Sequence, residues 1–226
     1  MIEKNIELKG IAELLVHSKK VSIVSHKNTD GDALSSMCAV SSALLELGKE
    51  PTVFLKILPN NFGFLNKYVG CETKDVFEPA DTILVIDVSS LDRTDFPQEI
   101  SIARESGSKI IVIDHHKTGE AENFADYFYK DTGSSACAEI IFKLIGEMGV
   151  VIEKNLATCL LSGIISDTSN FVNQNTTSKT LEMASELISK GARQNIIIEN
   201  TFRAESVGQL RFWGRAMERI VFLPKY

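Results

Sequence analysis

Short, mostly apolar runs alternate with longer stretches of helical periodicity through residue 130. The runs are Val21-Ser22-Ile23-Val24-Ser25, Thr52-Val53-Phe54-Leu55, Thr82-Ile83-Leu84-Val85-Ile86 and Ile110-Ile111-Val112-Ile113, with Tyr127-Phe128-Tyr129 as an edge candidate. β-Branched runs without polar alternation read as strands buried on both faces, the kind found in parallel sheets. Helical spacing appears at Ile6, Leu8, Ile11, Leu14 and Leu15, and again over Ala33–Leu47, which Gly48 ends as a C′ glycine. Residues 98–106 predict a further helix stopped by Gly107. Pro59, Asn60, Asn61, Gly63 and Gly70 hold residues 56–78 in loop with a helical turn or two. The pattern predicts an α/β fold: a doubly wound, mostly parallel five-stranded sheet with helices on both faces.

A helical segment follows. Asp131-Thr132-Gly133-Ser134-Ser135 opens a helix reaching about Met148, Leu156–Ile165 is apolar almost all round and so buried, and Thr177–Lys190 runs to Gly191. Arg203–Phe222 is amphipathic, with Leu210, Phe212, Trp213, Met217 and Ile220 on a stripe too apolar for a solvated linker. No internal repeat or low-complexity stretch interrupts the chain.

With 226 residues the chain can bury a sizeable core. A formal net charge of −6 argues against long duplex nucleic acid as a partner, which needs a broad basic surface, but leaves room for a small phosphorylated substrate held by metals. Cys38, Cys71, Cys137 and Cys159 form no CxxC pair, so reduced, buried thiols of a cytoplasmic protein are expected and thiolate ligation is not. No signal-peptide layout and no membrane-length apolar run is present.

Chemistry gathers where strands end. His26, Asp30 and Asp32 lie between the first strand and its helix, with Asp32 a candidate N-cap; Asp87 ends another strand; Asp114-His115-His116 ends a third. In an open parallel sheet these loops converge on one edge. Asp167, at the end of the buried Leu156–Ile165 helix, is costly unless paired or metal-bound. Imidazoles with several carboxylates and no thiolate suit a hard-to-borderline divalent ion such as Mn²⁺, and the carboxylates exceed the need of one ion. A pair of ions ~3.5–4 Å apart, bridged by one Asp, would use them all. The hydroxyl-rich start at Ser134 and Ser135 would either meet a phosphate or cap itself.

His26-x-x-x-Asp30-x-Asp32, Asp87 after an apolar strand, Asp114-His115-His116, and Asp167 within Gly163-Ile164-Ile165-Ser166-Asp167-Thr168 resemble the four ordered motifs of the DHH phosphoesterases. Asp30-Gly31-Asp32-Ala33 is more similar to the branch cleaving short oligonucleotides, 3′-phosphoadenosine 5′-phosphate or cyclic-dinucleotide products than to the manganese pyrophosphatases. The resemblance implies that His26 and Asp30 hold one Mn²⁺, that Asp32, His115 and Asp167 hold a second, and that Asp87 bridges both; Mg²⁺ or Co²⁺ are candidate substitutes. Asp114 would orient the site, His116 would approach the scissile phosphate, and Arg93 would contact phosphate, with Ser134 and Ser135 as further candidates.

The expected activity is two-metal hydrolysis of phosphodiester or phosphomonoester bonds in short nucleotides. Pyrophosphate or polyphosphate hydrolysis, or non-catalytic nucleotide binding, are the alternatives. Members of that branch carry a further substrate-binding domain with a glycine-rich loop, and no such loop is read within residues 1–226. Residues 1–200 are therefore expected to be the catalytic domain and 201–226 the connecting helix and start of the missing one. The apolar stripe makes a homodimer a further expectation.

Overall fold

The computed structural model describes residues 5–71, 73–202 and 207–221. In chain order the elements are α1 (Leu8–His17), β1 (Lys20–Val24), α2 (Gly31–Glu46), β2 (Glu50–Phe54), α3 (Asn66–Val69), β3 (Thr73–Lys74), β4 (Thr82–Ile86), α4 (Pro97–Glu105), β5 (Lys109–Asp114), α5 (Ala121–Phe124), β6 (Tyr127–Lys130), α6 (Cys137–Glu147), α7 (Lys154–Asp167), α8 (Ser178–Ser189), α9 (Gln194–Thr201) and α10 (Val207–Glu218). Every strand pairing is parallel, in the order β3-β2-β1-β4-β5-β6. The sixth strand is β3, a two-residue addition to the five expected, formed where Thr73 and Lys74 pair with Val53 and Phe54.

Alternation along the strands divides the core. Ile23, Leu84, Ile86, Ile111 and Ile113 face a large cluster built with α1, α2, α6 and α7. Val24, Ile83, Val85, Ile110 and Val112 face a smaller one around Phe54, Phe96 and Ile100. Helices therefore cover both faces, which is why the strands show no polar alternation. From β1 the chain winds outward to β2 and β3, then returns to β4 and winds the other way. The reversal lies between β1 and β4, and at such a switch point the loops diverge to leave a crevice beyond the strand ends.

α7 fits onto α2 and α6 only because residue 163 is glycine. A Cβ there would stand 2.7 Å from Ala138 Cβ and 2.8 Å from Asp32 Oδ1. Gly163→Ala is expected to destabilise by ~1–3 kcal/mol through overpacking, exceeding the gain of up to ~1 kcal/mol in helix propensity. Chemical denaturation checks this; a variant as stable as the parent would contradict it.

The amphipathic segment appears as α10. Leu210, Phe212, Met217 and Ile220 are exposed and Trp213 is 49% exposed. Residues 203–206 and 222, the ends of the predicted helix, lie outside the described residues.

Candidate metal centre

His26 follows β1, and its loop is tied to the segment after β4 by Lys27 N–H donating to Arg93 O (2.6 Å) and a bridge between His26 and Thr94. Asp87 follows β4 directly. It adopts φ 59°, a left-handed conformation that Asp tolerates better than most residues, and its N–H donates to Ile113 O across the sheet. His115 and His116 follow Asp114, the last residue of β5.

Asp87 is the hub. One oxygen, Oδ2, lies 3.7 Å from His26 Nε2, which is itself 3.7 Å from Asp30 Oδ2. The other, Oδ1, lies 3.4 Å from His115 Nε2 and 3.4 Å from His116 Nδ1. Donor atoms of His26, Asp30 and Asp87 lie within 4.8 Å of one another, as do those of Asp32, Asp87, His115 and Cys137. A third such group joins Asp87, Asp114 and His116. Asp167 ends α7 and completes the pocket wall with Ser89 and Arg93; the cavity is about 130 Å³. A larger groove of about 810 Å³ lies beside it, against α4 and α5, but among the described residues no donor cluster lines it, so size does not locate the chemistry.

Ring orientation separates the histidines. His26 Nδ1 meets Lys27 O at 2.8 Å and His115 Nδ1 meets Ser134 O at 3.3 Å, so both rings hold Nδ1–H on a backbone carbonyl and turn Nε2 toward Asp87. His116 Nδ1 instead meets Asp114 Oδ1 at 2.7 Å. Asp114 thus orients His116, while its buried Oδ2 has no hydrogen-bond partner among the described residues.

The charges explain each other. Asp30 and then Asp87 push His26 up to about 10. Burial opposes charge on His115, but Asp87, Asp32 and Asp167 outweigh it and push that ring to about 10 as well. Burial also opposes charge on Asp87, yet His115 and His26 hold it well below the usual carboxylate range. Asp32 and Asp167 are held above that range, first by burial and then by neighbouring charge, chiefly that of Asp87. Carboxylate charge in excess of the imidazoles, with Nε2 atoms presented inward, fits divalent cations.

Protons therefore compete with metal. A ligating imidazole must be neutral, and these two stay protonated through neutral pH until metal displaces the proton. Mn²⁺ affinity is expected to climb with pH from 6 to 8 and binding to release protons into weak buffer. Affinity that stays flat over that range would contradict it.

Two sequence expectations change. Asp30, not Asp32, caps α2, accepting from Ala33 N–H at 3.0 Å. Asp32 lies inside the first turn and reaches across to α6, accepting from Cys137 N–H (2.6 Å) and Ala138 N–H (3.0 Å). Ser134 and Ser135 are buried and do not line the cavity. Ser134 Oγ donates to Asp131 Oδ2, and Ser135 Oγ meets Asn175 O and Thr180 Oγ1, so these hydroxyls are committed within the protein rather than to phosphate. Arg93 does line the cavity, donating to Ser89 Oγ at 3.2 Å. Ser89 and Cys137 escaped the sequence reading. The Cys137 thiol, pushed up by burial and by Asp87 and Asp32, lies 3.6 Å from Asp87 Oδ1 as a donor.

Imidazoles and carboxylates around a shared aspartate, at the switch point of a parallel α/β sheet, define a candidate divalent-metal site. The chain belongs to the DHH family: the family model for its N-terminal domain matches residues 20–164. It is 29% identical over 209 residues to the bifunctional oligoribonuclease and PAP phosphatase NrnA of Thermus thermophilus, covering 89% of this chain and 59% of that one. It is also 29% identical over 150 residues to a "probable manganese-dependent inorganic pyrophosphatase" of Streptococcus mutans, covering 66% and 48%. Among solved structures, an exopolyphosphatase-related protein from Bacteroides fragilis superposes with TM-score 0.83 at 26% identity, over 95% of this chain and 66% of that one. The chain thus spans roughly half to three-fifths of these curated relatives.

Proposed function

We propose that residues 1–200 form a two-metal phosphoesterase domain acting on short nucleotide substrates. The observation that carries this is Asp87, whose two carboxylate oxygens face two separate donor groups. His26, Asp30 and Asp87 would hold one Mn²⁺; Asp32, Asp87, His115 and Asp167 would hold the other. When bound, such a pair acidifies a shared water and offsets charge on the phosphoryl group. Arg93 binds a phosphate oxygen, and Asp114 holds His116 by Nδ1, leaving Nε2 to contact phosphate or protonate the leaving group. A cavity of about 130 Å³ takes the phosphoryl end and leaves the remainder of a nucleotide outside.

Similarity to NrnA over 89% of this chain supports a nucleotide as substrate; similarity to a pyrophosphatase supports pyrophosphate as the second reading. A turnover screen with Mn²⁺ separates them. Mononucleotide from a 5′-phosphorylated dinucleotide, or phosphate from bisphosphorylated adenosine, is the expected result. Turnover of pyrophosphate alone would favour the second reading, and bound ions with no turnover would leave a binding module. No helix among the described residues is long and apolar enough to cross a membrane. α10 is the proposed contact for a further domain or a second copy; a monomer in solution would remove the second copy.

A further inference from the structure

We infer that Asn175 is a positioning residue that holds Asp167 and His115 to one metal position; the inference rests on the two-ion reading above. Those two side chains come from different layers. His115 leaves the sheet edge after β5, whereas Asp167 leaves the end of α7, and neither element fixes the other.

The chain beyond Asp167 turns back through three successive left-handed residues, Ser169, Asn170 and Phe171 (φ 47°, 58° and 65°). This reversal brings Asn175 into the gap between the layers. Its Nδ2 donates to Asp167 Oδ2 at 3.1 Å and to Ser135 O at 3.0 Å. An amide NH₂ has two hydrogens, and here they span the two loops, with a longer contact to Asp167 O at 3.4 Å. Each of these partners is an acceptor only, which fixes which end of the amide points inward. On the far side, Ser134 O accepts from His115 Nδ1. Adjacent carbonyls thus hold the two side chains: Ser134 O holds the imidazole, and Ser135 O holds the amide that holds the carboxylate.

The anchor is firm. Ser135 N–H and Thr180 Oγ1 both donate to the buried carboxylate of Glu139, at 3.3 and 2.8 Å. Asp167 Oδ2 is directed by Asn175, which fixes how this carboxylate is presented to an ion. Among the described residues His26 and Asp30 share no hydrogen bond with Asn175, Ser134 or Ser135, so the first metal position should sense its loss far less.

Mn²⁺ binding to the full chain, followed through the EPR signal of free Mn²⁺, tests this with wild type, Asn175→Ala and Asn175→Asp. Wild type is expected to bind two ions. Asn175→Ala should bind one as wild type does and the other roughly 10- to 100-fold more weakly, the usual cost of losing a residue that orients a ligand. Asn175→Asp, which has no donor and adds a carboxylate beside Asp167, should weaken that ion at least as much. Wild-type affinity at both positions, or equal weakening of both as from general loosening, overturns the assignment. A wild-type chain that binds fewer than two ions overturns the two-ion reading itself, and this inference with it.

Discussion

Asp87→Ala is expected to lose both ions. The carboxylate is buried, and its oxygens serve the His26 and His115 sides at once. On the proposed two-ion reading, each position would lose a ligand without it, and two cations would face each other with no carboxylate between them. Two unit charges 4 Å apart repel by roughly 4 kcal/mol at an effective dielectric of 20, and two dications by four times that. The left-handed backbone at φ 59° costs an L-residue ~1–2 kcal/mol, and alanine lacks the short polar side chain that eases this for Asp. Asp87→Asn is the control: it keeps the shape and tolerates that backbone but removes the charge. Metal content after desalting, with circular dichroism to confirm the fold, decides the matter. Two ions retained in either variant would remove Asp87 from the bridging position.

The adjacent histidines should give different phenotypes. His115 turns Nε2 to Asp87 with Nδ1 on a backbone carbonyl, the arrangement of a neutral ligand in a fixed tautomer. His116 has its Nδ1 on Asp114, and its side chain is 42% exposed. His115→Ala should lose metal and turnover together. His116→Ala should keep both ions and turn over roughly 10²- to 10⁴-fold more slowly, the range for loss of a general acid. Equal metal loss in the two variants, or undiminished turnover in the second, would show the assignments exchanged or wrong.

Parallel topology explains how much could be read from sequence. Every loop after a parallel strand leaves by one edge, so His26, Asp30, Asp87, His115 and His116 could be placed together without knowing strand order. The pocket also contains Asp167 and Arg93. Misplaced residues depended on partners far along the chain. Asp30 and Asp32 are both good cap residues, and only the position of α6 shows that Asp32 is engaged elsewhere. Ser134 and Ser135 look like a phosphate loop until Thr180 and Asn175, forty or more residues on, occupy the second hydroxyl. Cys137 and Asn175 carry no local signal, since they act through contacts made by tertiary folding, whereas Ser89 is held by Arg93 four residues on. Strand β3 was missed for the same reason: two residues have no period.

The most direct test of the central claim is EPR of the chain loaded with Mn²⁺. Two ions sharing one carboxylate at ~3.5–4 Å are close enough to couple magnetically. The expected result is two Mn²⁺ per chain with an exchange-coupled spectrum that Asp87→Asn abolishes. A single ion, or two that give only the signal of isolated Mn²⁺, would contradict it.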